Sequence, residues 1–150
     1  MQREFPETPL VGVGAVIVRD GRVLLIKRGT EPMKGCWSIP GGLIELGESL
    51  HDAVRRETRE ETRLTVESLE LVELLDRIYK EENRVRYHYV IADYLCRVVA
   101  GEAQAGSDAA AVRWATAEEC QPGGALNLDP ITARIVLAGL KQAATHPAFA

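Results

Sequence analysis

Alternating apolar and polar stretches predict a protein with more strands than helices. A valine-rich run at 11–18 and a second apolar run at 22–27 flank the turn Asp20-Gly21, which predicts a β-hairpin. Two longer runs, 65–79 and 84–99, also resemble strands, and the second alternates with a period of two residues. Shorter elements are expected at three further places: strands at 36–39 and 111–114, and a brief helix whose capping box is Thr116 with Glu119.

Capping residues predict two longer helices. Ser49 is a suitable N-cap for a helix that continues to Thr62. Asp129, followed by a proline, marks the start of a terminal helix over 131–143. Because no linker separates the elements, we expect residues 1–150 to form one domain, an α+β or mixed-sheet α/β sandwich.

Composition narrows the class of protein. The 150 residues carry 18 basic and 22 acidic side chains, a formal charge of −4, and 46% of them are hydrophobic. These values fit a globular domain and argue against a nucleic-acid or anionic-membrane partner. We expect no signal peptide, because the first ten residues lack a basic region followed by an apolar run. We also expect no membrane span, because the longest apolar run, 11–18, is far shorter than the roughly 20 residues required. Three scattered cysteines favour reduced thiols and a cytoplasmic location.

The predicted helix after Ser49 carries an unusual row of acids. Its first two turns form an apolar stripe that should face the core: Leu50, Ala53 and Val54. At the same helical spacing, the stripe continues with Glu57, Glu60 and Glu61. Carboxylates one turn apart repel each other, and partial burial increases the cost. Either nearby arginines neutralise a solvated face, or a divalent cation binds several of these oxygens at once; spacing alone leaves both open.

The residues around this helix resemble a known motif. The spacing Gly42-x5-Glu48-x7-Arg56-Glu57-Thr58-x-Glu60-Glu61, preceded by Trp-Ser-Ile-Pro-Gly, is similar to the Nudix box of the Nudix hydrolases. The resemblance extends to MutT-like and ADP-ribose pyrophosphatase-like members. Two positions depart from the pattern: Arg63 stands where the family has a second glycine, and Thr58 where a bulkier apolar residue is common. We therefore expect the end of the helix to differ.

The resemblance implies a fold and a chemistry. The fold would be an α/β/α sandwich with a mixed sheet and a loop–helix–loop catalytic motif. The activity would be that of a hydrolase of phosphorus-containing anhydrides that uses Mg²⁺, with Mn²⁺ as a possible substitute. Glu57, Glu60 and Glu61 would bind the metal, with the Gly42 carbonyl as an extra ligand. Glu48 and Arg56 would brace the motif.

Further residues are candidates for catalysis and substrate binding. Many family members add an acid from a late loop, and Asp108 is the best candidate here, with Glu102 second. Arg28 follows the second strand and resembles family positions that meet substrate phosphates. If one face of the strand at 84–99 lines the pocket, Arg84, Arg86 and His88 would also contact phosphate or ribose.

The expected substrate is a nucleoside diphosphate linked to another moiety, with ADP-ribose or a similar nucleotide sugar favoured. The alternative is a (deoxy)nucleoside triphosphate, hydrolysed in a MutT-like house-cleaning reaction. A non-catalytic nucleotide-binding module is a third possibility, although the retained acids of the motif count against it. We expect a small-molecule nucleotide partner and a homodimer, the commonest closed assembly.

Overall fold

The structure, a computed structural model, describes residues 2–150 and contains one seven-stranded mixed sheet. The elements follow in this order: β1 (Leu10–Arg19), β2 (Arg22–Arg28), β3 (Trp37–Ser38), β4 (Gly41–Leu43), α1 (Leu50–Thr62), β5 (Thr65–Glu81), β6 (Arg84–Ala100), β7 (Ala109–Thr116), α2 (Pro130–Thr145) and a 3-10 turn (Pro147–Phe149). The predicted mixture of strands and two principal helices is confirmed.

The sheet is centred on β1. The strand order is β3-β2-β1-β6-β5, while β4 pairs with β1 and β7 pairs with β2. Strands β1 and β6 are parallel, and the other pairs are antiparallel. Within this arrangement Gly14 of β1 lies between Gly41 of β4 and Asp93 of β6. The centre of the sheet therefore has very small side chains where β4 approaches β1.

The two helices cover opposite faces of the sheet. One core packs Ala53 and Val54 of α1 against β1 and the even-numbered residues 92–96 of β6. The other core packs Ile135 and Val136 of α2 against Val16 and Leu95. Alternation along β1 and β6 sends successive side chains to opposite faces, so each strand contributes to both cores. This confirms the predicted α/β/α sandwich.

Helix α1 begins as predicted, and it ends in a conformation that favours glycine although the residue there is an arginine. The Ser49 side chain accepts a hydrogen bond from the Asp52 amide at 3.1 Å. The helix ends at Arg63, which adopts the left-handed conformation with φ of 67°. A glycine would adopt this backbone conformation without steric cost, whereas arginine does so under strain.

One local prediction needs correction. Thr116 and Glu119 do form the reciprocal capping-box hydrogen bonds, but the segment after β7 makes turns rather than a helix. The Gly-Gly segment after Pro40 forms β4, because Gly41 and Gly42 can pair closely with β1. Neither helix among residues 2–150 has the length and hydropathy needed to cross a membrane.

Candidate active site

A cavity opens beside β1 and β4 and receives side chains from both faces of the sheet. Its volume is about 670 Å³, within the range of roughly 300–1,000 Å³ typical of small-molecule sites. Acids of α1 lie at one end, and residues of β5, β6 and α2 lie at the other. Its lining includes Gly14, Arg28, Ile39, Gly42, Glu57, Glu60, Glu61, Arg77, Tyr89, Asp93, Asp108 and Thr132.

The acids of α1 press directly against the glycines of β4. A Cβ atom placed on Gly42 would lie 2.5 Å from Glu57 Oε2, so only glycine leaves room for this carboxylate. The backbone amide of Gly41 donates a hydrogen bond to Glu61. The short strand β4 therefore both admits and orients the carboxylates of α1.

The carboxyl groups of Glu57 and Glu61 interact with each other in a poorly solvated place. Burial raises the pKa of Glu61 to about 8, and the neighbouring charge of Glu57 adds to the effect. Burial also raises the pKa of Glu57, although Arg56 opposes that shift. One oxygen of this pair, Glu61 Oε2, is buried without any hydrogen-bond partner. Such an atom is costly unless a donor or a cation completes it.

Arg56 braces the loop before α1 against the helix, as the motif resemblance implied. Its guanidinium donates two hydrogen bonds to the carboxylate of Glu48, at 2.8 and 2.9 Å. It also donates to the carbonyl oxygen of Leu43 at 3.0 Å and to Glu57 Oε1 at 2.7 Å. The hydrogen bonds from Arg56 lower the pKa of Glu48 to about 2, so Glu48 stays ionised throughout the neutral range.

The third acid of the motif is turned toward the same arginine. Glu60 Oε2 lies 3.6 Å from Arg56 Nη1 and is more exposed than its two neighbours. Within residues 2–150, no three His, Cys, Asp or Glu side chains are gathered closely enough to hold a metal ion. The paired carboxyls and the unpartnered Glu61 oxygen nevertheless fit a hard cation, since it accepts several oxygen ligands.

Two other predicted site residues line the cavity near these acids. The positive charge of Arg28 lowers the pKa of Glu61 and so favours its ionised form. Arg28 Nε also donates a hydrogen bond to the Pro32 carbonyl oxygen at 2.6 Å. Asp108 is exposed immediately before β7, and its carbonyl oxygen accepts from the Gly29 amide at 2.9 Å. Glu102, the second candidate for the late acid, is exposed and does not line the cavity.

The end of α1 supports the loop that carries Asp108. The amide of Gly106 donates to the carbonyl oxygen of Glu61 at 2.9 Å, and the amide of Gln104 donates to Thr62 at 2.9 Å. A Cβ atom on Gly106 would lie 3.0 Å from Arg63 Nε. The arginine at the motif's second glycine position therefore packs against this loop.

The predicted substrate contacts on β6 require a correction. Arg84, Arg86 and His88 do not line the cavity. Arg86 instead pairs with Glu4 at 3.2 Å, and Arg84 stacks on a nearby aromatic ring. The period of two was correct, but the opposite face of the strand, with Tyr89, is the one that lines the cavity.

Sequence reasoning missed the far end of the cavity. Asp93 is a buried acid on the cavity face of β6. Arg77 of β5 donates hydrogen bonds to Asp129 and to Thr132, which join β5 to the start of α2. A signal for Asp93 did exist, because it is the one charged residue between Val90 and Cys96. The pairing of Arg77 with a residue 52 positions away had no local signal.

Comparison with known proteins places the chain in a family. The family model described as NUDIX domain matches residues 8–135. The ADP-ribose pyrophosphatase of Methanocaldococcus jannaschii is 40% identical over 102 residues, which cover 67% of this chain and 58% of that protein. The MutT-like protein of Streptomyces ambofaciens is 37% identical over 120 residues, which cover 78% of this chain and 71% of that protein.

A solved structure agrees with these relatives. The MutT NUDIX hydrolase from Burkholderia pseudomallei matches with a TM-score of 0.74 and 37% identity, over 91% of this chain and 98% of that one. The chain spans little more than half the length of the archaeal relative. Because the family model matches most of the sequence, and a solved family member shares both its fold and more than a third of its residues, the chain belongs to the Nudix hydrolase family.

Proposed function

We propose that the protein hydrolyses the pyrophosphate bond of a nucleoside diphosphate linked to another moiety, with ADP-ribose or a similar nucleotide sugar as substrate. The observation that carries the proposal is the pairing of Glu57 with the buried Glu61, whose unpartnered oxygen lies beside a cavity of nucleotide size. The archaeal relative named ADP-ribose pyrophosphatase supports this choice of substrate.

Mg²⁺ is the proposed cofactor, and Mn²⁺ is a possible substitute. Glu57, Glu60 and Glu61 would hold it, with the Gly42 carbonyl as an additional ligand. When bound, such an ion offsets phosphate charge and lowers the pKa of a coordinated water. These side chains fit this role because carboxylate oxygens are ligands for hard cations. Arg56 contacts one oxygen each of Glu57 and Glu60, which leaves the other oxygen of each side chain for a metal ion.

The protein's own groups would orient the substrate and accept a proton. Arg28 lies beside Glu61 in the cavity and would bind a phosphate oxygen. The acids of α1 are candidates for receiving the proton of the attacking water, and Asp108 at the cavity wall is another. The bidentate pair of Glu48 with Arg56 would fix the motif loop, which keeps the acids in place.

A second candidate is pyrophosphohydrolysis of a (deoxy)nucleoside triphosphate. The Streptomyces relative named MutT-like and the Burkholderia MutT structure favour it. A non-catalytic nucleotide-binding module is disfavoured, because all three acids of the motif are retained. We further propose a cytoplasmic location, which the unpaired thiols of Cys36, Cys96 and Cys120 support, and a homodimer.

The products of the reaction test the proposal. Purified protein would be incubated with Mg²⁺ and, separately, ADP-ribose, a sugar nucleotide, a dinucleotide and several triphosphates. AMP with ribose phosphate supports the nucleotide-sugar activity, whereas a monophosphate with pyrophosphate identifies the triphosphate reaction. Failure to turn over any compound, with nucleotide binding intact, would contradict both and favour a binding module.

A further inference from the structure

Asp93 is an acid without an internal partner. Only 3% of its surface is exposed. Within residues 2–150, its carboxylate makes neither a hydrogen bond nor an ion pair within 4.0 Å, and only the more distant charges of Arg77 and Glu73 act on it. Arg77 is the cation whose charge affects the pKa of Asp93, but it donates its hydrogen bonds to Tyr79, Asp129 and Thr132 instead. Buried carboxylates usually have partners because desolvation of the charge is costly, so this one requires an explanation.

The carboxylate of Asp93 lies on the wall of the cavity. Leu95, two residues further along β6, packs in the core beneath α2, and alternation places Asp93 on that same face. Gly14 makes space for it: a Cβ atom there would collide with Asp93 Oδ1 and would lie 2.8 Å from Ile39 Cδ1. The absence of a side chain at Gly14 therefore leaves room for the Asp93 carboxylate at the cavity wall.

Asp93 and the acids of α1 lie at different strands of the sheet but line the same cavity. Asp93 pairs with Gly14, and Gly14 pairs with Gly41, whose amide binds Glu61. Two strand spacings, about 10 Å, therefore separate the backbone of Asp93 from the strand that orients the acids, and the Asp93 carboxylate extends over Gly14, one strand closer. Both ends belong to one cavity. A nucleotide whose phosphates contact the acids would extend its nucleoside part toward the other end of the cavity, where Asp93 lies.

We propose that Asp93 determines substrate specificity by accepting a hydrogen bond from the nucleoside part of the substrate. The donor would be either an exocyclic amine of the base or a ribose hydroxyl, since both present an N–H or O–H to a carboxylate. This inference rests on the proposed nucleotide substrate and adds the part of that substrate, a base amine or a ribose hydroxyl, that Asp93 recognises. Asp93 contacts the ligand but takes no part in bond cleavage.

The surroundings of Asp93 suit a discriminating contact. Desolvation raises the pKa of its carboxyl to about 7, Arg77 opposes the shift, and Glu73 adds to it. A group that lacks a partner in the free protein gains most from a donor supplied by a ligand. By the same reasoning, a nucleotide without that donor would leave the acid buried and unpaired, and would bind more weakly.

Binding of monophosphates tests the inference without requiring turnover. Calorimetry would compare AMP, GMP, IMP and 2′-deoxy-AMP on the wild type, on Asp93→Asn and on Asp76→Asn. IMP lacks the exocyclic amines of AMP and GMP, and the deoxy compound lacks a ribose hydroxyl. Asp76 is the matched control because it is exposed on β5 and lies outside the cavity.

We expect the wild type and Asp76→Asn to bind AMP or GMP about 10- to 100-fold more tightly than one of the two reduced analogues. The analogue that loses affinity identifies the amine or the hydroxyl. Asp93→Asn should abolish the difference. Equal affinities for all four ligands on the wild type, or unchanged discrimination in Asp93→Asn, would overturn the proposal, as would the absence of saturable binding.

Stability and turnover separate the remaining explanations. Asp93→Asn should melt no lower than the wild type, because it removes no internal hydrogen bond. A Tm several degrees lower, or failure to fold, would reveal a structural partner and overturn the inference. If the wild type discriminates among monophosphates but hydrolyses nothing in the substrate panel, the proposed activity fails while the role of Asp93 stands.

Discussion

Replacing Asp93 with asparagine should make the protein more stable at alkaline pH, by an amount that the burial of this acid sets. Desolvation raises the pKa of Asp93 from 3.8 to about 7 in the folded state. A shift of about 3 units corresponds to about 4 kcal/mol, at roughly 1.4 kcal/mol per unit. Since only 3% of the residue is exposed, solvent screening reduces this value little.

The sign follows from proton binding. Between about pH 4 and pH 7 the folded state holds the Asp93 proton more tightly than the unfolded chain does. Stability therefore falls as pH rises through this window and changes no further above it. From pH 5 to pH 7 the wild type should lose about 2 kcal/mol through this group, a loss that asparagine cannot show.

Urea unfolding at pH 5 and at pH 8 measures the effect. The free energy of unfolding would be determined for the wild type, Asp93→Asn and the exposed control Asp76→Asn. Glu61, whose pKa is also raised, titrates in all three proteins and cancels in the comparison. The stability gained by Asp93→Asn over the wild type should be larger at pH 8 than at pH 5. Parallel changes in both proteins would refute the reasoning.

Three further changes test the motif itself. Glu48→Gln removes a charged partner of the bracing arginine and should lower kcat about 10- to 100-fold, whereas Glu118→Gln, which is exposed and lies outside the cavity, should not; equal rates would exclude the brace from function. Gly42→Ala places a Cβ 2.5 Å from Glu57 Oε2 and should abolish turnover while AMP binding persists; normal kcat would show that this close approach is dispensable. Arg63→Gly relieves a left-handed residue with φ of 67° and should raise the free energy of unfolding by about 1 kcal/mol, and a loss of stability would show that its side-chain packing outweighs backbone strain.

Local signals predicted the elements that hold the motif. The cap at Ser49 set the start of α1, and the apolar stripe correctly turned Ala53 and Val54 toward the sheet. The same stripe drew attention to Glu57, Glu60 and Glu61, because carboxylates interrupt an apolar pattern that faces the core. Glu61 is in fact only 6% exposed, so the interruption reflects burial rather than a solvated face.

Features that depend on long-range packing were not predictable. Period-two alternation along β6 defines two faces but does not say which one meets the cavity, so Arg84, Arg86 and His88 were assigned to the wrong face. That choice depends on which side of the sheet α2 covers. Strand β4 was missed for a related reason: its glycines become a strand only because β1 lies beside them.

Product formation from ADP-ribose tests the central claim most directly. The wild type, Glu57→Gln and the exposed control Glu118→Gln would be incubated with Mg²⁺ and ADP-ribose, and the products separated by chromatography. We predict AMP and ribose phosphate from the wild type and the control, and a rate at least about 100-fold lower from Glu57→Gln. Equal rates in all three proteins, or no cleavage of ADP-ribose by the wild type, would contradict the account.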